Sequence, residues 1–486
     1  MSQPTTNCGL CIRPEPGVWR TWLGSDRFTP SEAQRRFRTQ LSLPTDRPVV
    51  MTGHQAIIWH PGILAKYLAA EAAADQTGAG AAWLVVDHDT SDPFAVRYPA
   101  FVERAGRREL VSETWRVDGE ASPLGERSPE VPVSAIAPVS KVARPATDAA
   151  SADVARGLEE ISAALTAHAG ARSAAEQVTG ALRDLLADLV RPAPVVFASR
   201  LAQTDLFAEW IARMANDAAL CCGVYNRAVA AHPHARVALL VKDEQRGWEL
   251  PLWLIDGASG RRARVFESMI RDGSARKALL PRLRARALAM TAMVRSAGCD
   301  LFIHGTGGAG SAGAAAAGVR ESEGYEAITQ EWITGWLGEG SRLAPIAMVT
   351  ATLRLEITTA QPPITPQQIA RARWTAHAAR HHPLLVGDAG AEEQRAGIVL
   401  ELSRLRRKRD AESRLARAAA YKRLHGLLAE ARRRHAPDLS KLEAKATAAA
   451  LRQSEAMVLA DRTWAFPLYQ RAQLQRMRAE LRRAFP

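Results

Sequence analysis

Residues 48–89 read as strand, turn, helix and strand in succession, and this order restricts the fold more than any other feature of the chain. The apolar run Pro48-Val49-Val50-Met51 reads as a strand entering a turn at Thr52-Gly53, and His60-Pro61-Gly62 as the start of a helix over 63–74. A second strand over 83–86 delivers Asp87-His88-Asp89. Strand-like and helix-like segments keep alternating downstream, the pattern of a parallel sheet with covering helices. Imidazoles, carboxylates and glycines thus gather where two strands of an α/β sheet end, which is where such folds keep their chemistry.

The rest of the chain adds an insertion and a tail. Residues 113–150, rich in Pro, Ser and Glu, read as an irregular connection, and a helical run over 149–191 follows. Strands are expected at 194–197, 237–241 and 250–255, and helices over 204–214 and 283–297. Together this predicts an α/β core over 1–390, with an insertion at about 113–191, and a helical tail over 391–486. In that tail two helices joined by a turn at 435–438 are expected to fold as an antiparallel hairpin.

The formal charge of +13 suggests nucleic acid until it is mapped. Residues 401–486 hold 21 Lys and Arg against 9 Asp and Glu, an excess of 12, so the body carrying the histidines is near neutral. The tail lacks aromatic interleaving, and a solvated helical surface packing on a partner is favoured over nucleic acid. No apolar run approaches the roughly 18 residues that span a bilayer, no secretory leader is legible, and five cysteines suit a reducing compartment, so a cytoplasmic protein is expected. Cys8 and Cys11 form an isolated Cys-x-x-Cys pair, and no metal site is predicted from it.

After the strand-like 301–303, Gly305-Thr306-Gly307-Gly308-Ala309-Gly310 reads as Gly-x-Gly-x-x-Gly. The acid-ended strand that a dinucleotide fold needs about 20 residues on is missing, since 327–336 reads as helix. Glycines after a strand still let backbone amides approach a phosphate or carboxylate.

The order Thr-Gly-His-Gln, His-Pro-Gly, Lys66, Asp-His-Asp and Phe-Ile-His-Gly-x-Gly-Gly with a downstream Tyr resembles the bacillithiol biosynthesis cysteine-adding enzyme family, in its divergent members. The resemblance implies a Rossmann-like core, a C-terminal antiparallel coiled coil, a homodimer, and a ligase joining cysteine to glucosaminyl malate. It carries Asp87, His88 and Asp89 over as catalytic, and Gly53, His54, Gln55, His60, Gly62, Lys66, Gly305, Gly307, Gly308 and Tyr325 as substrate- or nucleotide-binding. His54 stands where the family has glutamine, Val86 where it has glutamate, and Tyr325 is displaced by an Ala-rich insertion.

Amide formation requires an activated carboxylate, so ATP with magnesium is the expected co-substrate. A helix N-terminus at residues 60–62 offers amides and a positive dipole end to phosphate, with His54, His60 and Lys66 as further donors. Asp87 and Asp89 would raise the pKa of His88 and make it the proton acceptor. Alternatively, strand alternation sets the two aspartates on one face with His88 opposite, or the triplet only ends a strand and starts a turn. Two other functions stay open: a nucleotidyl transferase-like enzyme acting on another small acid, and a coiled-coil protein binding nucleic acid or another protein.

Overall fold

A computed structural model describes residues 9–24, 28–104, 106–119, 131–305, 314–359, 364–406, 408 and 410–485. The fold is mixed α/β, and the chain divides into two compact units. The first comprises Met1–Ala100, Ser112–Glu356 and Asp461–Pro486, the second Phe101–Val111 and Ile357–Ala460.

Twelve strands are present among the described residues. The main sheet takes β1 (Cys11–Arg13), β2 (Val49–Gln55), β3 (Gly80–Val86), β6 (Val195–Phe197), β11 (Leu301–His304) and β12 (Ile346–Thr350). Two further strands, β4 (Ala95–Arg104) and β5 (Arg107–Arg116), pair with each other. A smaller antiparallel sheet is built on β8 (Gly247–Ile255), which contains the strand expected at 250–255, flanked by β7 (Lys242–Asp243), β9 (Arg262–Phe266) and β10 (Leu283–Ala285), which were not expected.

The main sheet runs β1-β12-β11-β2-β3-β6, parallel except for the edge strand β1. From β2 the chain winds outward through β3 and β6, then returns to the other side of β2 as β11 and β12. The direction of winding reverses between β2 and β11, and a crevice opens beyond the strand ends at such a point. Val49 to Thr52 are all buried without alternation, as a central parallel strand covered on both faces requires.

The helix Pro61–Thr77 is buried from Pro61 through Ala74. Its alanines let it pack against β2, β3 and β12, and a helix apolar on nearly every side belongs in an interior. Glu71 within it is 4% exposed. Its carboxylate accepts from Arg482 at 2.7 Å, from Arg478 at 3.3 Å and from the Arg191 amide at 3.1 Å.

These ion pairs account for the first correction. The tail expected over 391–486 ends at Ala460, and the final helix Arg471–Ala484 rejoins the first unit against Pro61–Thr77. Leu474, Met477 and Leu481 are its buried apolar stripe. In the second unit, Pro366–Ala378 packs on Ala436–Ala460, and Ala389–Arg406 on Ala411–Arg434. The expected hairpin at 435–438 is therefore replaced by a one-residue break at His435 between two helices that barely touch. Pro437 falls in the first turn of the following helix, where its missing N–H is no loss.

Other boundaries moved. Residues 237–241 are not strand, the helical run over 149–191 is two Ser-capped helices, and the helix expected from 283 starts at Ala287 because 283–285 pair with β8 as β10.

Candidate functional site

A cleft of about 420 Å³ opens at the carboxyl ends of β2, β3 and β11. Gly53, His54, Gln55, His60, Gly62, Lys66, His88, Asp89, Gly305 and Tyr325 all line it. Segments up to about 270 residues apart in sequence thus meet in one concavity of a size usual for small-molecule sites. Gly307 and Gly308 lie outside the described residues.

Gly53 is where β2 comes close to β3. A Cβ there would stand 2.8 Å from the Leu84 carbonyl oxygen and 2.9 Å from the Leu84 Cβ, so only glycine keeps the strand spacing. Next to it, the Gly53 carbonyl accepts a 2.6 Å hydrogen bond from the Nζ of Lys66. Lys66 is 4% exposed, and among the described residues no carboxylate is within ion-pair reach. Burial brings its pKa down to about 7.

Three imidazoles stand close enough to Lys66 to feel its charge: His54 on β2, His60 at the helix start and His304 on β11. Burial, helped by nearby cations, lowers His54 well below its usual value and takes His60 and His304 to about 4. All three are neutral rings at pH 7. Among the described residues the buried Nδ1 of His54 has no hydrogen-bond partner. The Nδ1 of His60 accepts from the Gly62 amide at 3.1 Å, which fixes its proton on Nε2.

That contact corrects the expected anion site at the helix start. The Gly62 amide is taken by His60 Nδ1, the Ile63 amide by the His60 carbonyl at 3.0 Å, and Pro61 has no N–H. The dipole end remains, but the first-turn amides are engaged.

The Asp-His-Asp triplet follows β3 as a turn, so strand alternation does not govern it. Asp87 points out of the cleft, and the Ser199 amide and hydroxyl donate to its carboxylate at 2.8 and 2.5 Å. Asp89 faces the cleft, accepting from Gln55 Nε2 at 3.0 Å and lying 3.5 Å from Arg262 Nη1. His88 is 3% exposed, and its Nδ1 has no hydrogen-bond partner among the described residues. Burial first, then the charge of Arg284, lowers its pKa to about 4, against the upward pull of Asp89. The expected rise of His88 is thus reversed, and Asp87 lies outside the cleft.

Sequence reasoning missed the wall opposite. Trp253 on β8, Arg262 on β9, Thr291 on the helix Ala287–Met293, and Arg462 with Thr463 complete the lining. Trp253 meets two guanidiniums, Arg286 at 4.0 Å and Arg262 at 4.7 Å from its ring centre. The one available signal was the break of helical pattern at Asp461-Arg462-Thr463-Trp464, inside a tail read as two helices and a turn at 435–438.

Asp89 is the single carboxylate among the described lining residues, beside the guanidiniums of Arg262 and Arg462. The cleft favours anionic ligands. Among the described residues no group of three or more His, Cys, Asp or Glu is arranged to hold a metal ion. Compared with known protein families the chain matches none, and it matches no curated protein.

Proposed function

We propose that the chain is an ATP-dependent carbon–nitrogen ligase of the cysteine-adding type, working in the cleft on a Rossmann-like core. The observation that carries this reading is convergence. Ten of the motif residues through which the sequence resembles the bacillithiol cysteine-adding enzymes, from Gly53 to Tyr325 and without Asp87, line one cleft at the reversal point of a parallel sheet. The strand order β6-β3-β2-β11-β12 supports the Rossmann-like description.

The residues present suit a phosphate-bearing co-substrate. Arg262 and Arg462 supply guanidiniums, and the start of Pro61–Thr77 supplies a positive dipole end. ATP would supply the activation of the acid. Asp89, fixed by Gln55 and Arg262, is oriented to hold an ammonium group. Neutral His54 and His88 each have a ring nitrogen without a partner among the described residues, which suits a substrate hydroxyl or carboxyl group. Positioning and electrostatics then supply most of the rate.

Mass spectrometry of a mixture of protein, ATP, magnesium, cysteine and glucosaminyl malate tests the reading. A condensed thiol product lost in Asp89→Asn and His54→Ala supports it. Absence of product with folded wild type rejects the substrate pair. Nucleotide turnover without cysteine would favour the nucleotidyl transferase alternative.

A further inference from the structure

The cleft contains many groups that resemble proton acceptors and few able to act as one. His88, the obvious candidate by sequence, is held near 4, as are His60 and His304, and His54 is lowered well below its usual value. An acceptor that weak holds almost no proton at neutral pH, and the most effective base has a pKa near the working pH. Asp87 is outside the cleft and engaged by Ser199. Asp89 is committed to Gln55, to the Thr90 amide at 2.8 Å and to Arg262.

Lys66 differs from all of these in its surroundings. It extends from the second turn of Pro61–Thr77 under the end of β2, and its Nζ donates to one backbone oxygen, Gly53 O, at 2.6 Å. His54 faces it from β2, His304 from β11 and His60 from the helix start, and among the described residues no acid within ion-pair reach holds it as an ammonium. Gly305 on the far wall passes close to the stem, its Cβ position 3.5 Å from the Lys66 Cδ. A neutral amine in this place donates one N–H to Gly53 O and keeps its lone pair for the cleft.

We propose that Lys66 is the proton acceptor of the cleft, taking a proton from the incoming ammonium group of the substrate, and is not a fixed cation clamping phosphate. One proton leaves the substrate nitrogen and joins Nζ, converting ammonium plus amine into amine plus ammonium. No other bond changes in this step, and Lys66 returns the proton to water before the next turnover. The assignment rests on the ligase reading for the identity of the substrate. It does not rest on it for the state of Lys66, whose lowered pKa follows from burial alone.

The test uses whole protein carrying ¹³Cε-lysine, together with Lys66→Arg and Lys66→Met. The chain has eight lysines, so the Lys66 resonance is assigned by its loss from either variant. A titration midpoint about three units below that of the other lysines is expected, as is a fall in kcat of about 100-fold or more in both variants. Binding of inorganic pyrophosphate should stay within a few-fold of wild type in Lys66→Arg, which keeps a cation but has no usable lone pair. A midpoint near that of an exposed lysine overturns the assignment, and so does Lys66→Arg with wild-type kcat. If wild type makes no amide product at all, the ligase reading falls separately, and the Lys66 midpoint still decides whether a neutral amine stands in the cleft.

Discussion

Asp87 and Asp89 lie two residues apart and face opposite ways: the first is bonded to Ser199 behind the turn, the second to Gln55 at the cleft. One turn therefore carries both a structural carboxylate and a site carboxylate. Asp87→Ala leaves the half-buried Ser199 amide and hydroxyl without their partner and should cost about 1–2 kcal/mol, read as a lowered urea midpoint. Asp87→Asn should hold most of that stability, because an amide can meet the same two partners. Asp89→Asn should leave the midpoint near wild type and weaken ligand binding. The reverse pattern would refute the division.

Stability should fall as the solution is acidified from pH 6.5 to 4. His60, His88 and His304 sit near 4 in the folded protein against 6.5 unfolded, and His54 is lowered in the same direction. A depressed histidine favours the native state fully above 6.5, and the unfolded chain gains on it as protons become available below that value. Lys66, lowered from 10.5 to about 7, acts with the same sign at higher pH, so native stability also rises between pH 7 and 10.5. Urea unfolding at pH 7, 6 and 5 should show a slope of about three to four protons, of which His88→Gln removes about one. A flat profile below 6.5 would mean that these rings are not desolvated.

Gly53→Ala should be more damaging than its size suggests. The added methyl would press on the Leu84 backbone and Cβ, and neither is a flexible side-chain end. A loss of about 1–3 kcal/mol is expected. Any shift of β2 also moves the carbonyl that holds Lys66, so the ¹³Cε resonance of Lys66 should move in the same variant. By contrast Gly78→Asn, at a left-handed helix end (φ 70) with open space around it, should cost little, as asparagine tolerates that conformation.

The parts of this arrangement that were legible in sequence are those with a local cause. The first half of β2, strand β3, the helix between them and its start at His60-Pro61 follow from apolar runs and a proline at the first helical position, whereas Thr52 and Gly53, expected as a turn, continue β2 to Gln55. The residues of that unit reach the cleft because a parallel pair joined by a helix brings its strand ends together. Arg262, Trp253 and Arg462 were not legible, because their place depends on β8 pairing with β9 and on the chain returning after Ala460. No spacing rule reports such pairings between distant segments. The state of His88 was misread for a related reason: adjacent aspartates are visible in sequence, whereas burial and Arg284 are supplied by the fold.

The wall that sequence missed should also control how the cleft binds anions. Glu249 is 1% exposed and holds Arg286 at 2.6 Å and Arg264 at 3.3 Å. Arg286 lies against Trp253, which in turn meets Arg262, the guanidinium beside Asp89. Trp253→Ala removes the surface both guanidiniums share without touching Glu249, so the fold should persist while Arg262 loses its fixed place. Pyrophosphate binding measured by calorimetry should weaken by about 10-fold, the loss of roughly 1.4 kcal/mol expected when a cation–π contact inside a cleft is removed. Glu249→Ala acts earlier in the same chain of contacts. It strips a buried carboxylate from its two arginines and the Val241 amide, and should lower stability by about 3–5 kcal/mol. If Trp253→Ala binds pyrophosphate as wild type does while Arg262→Met does not, the hydrogen bonds of Arg262 to Asp89, Thr90 and the His88 carbonyl hold it without the ring, and the aromatic contact is only packing.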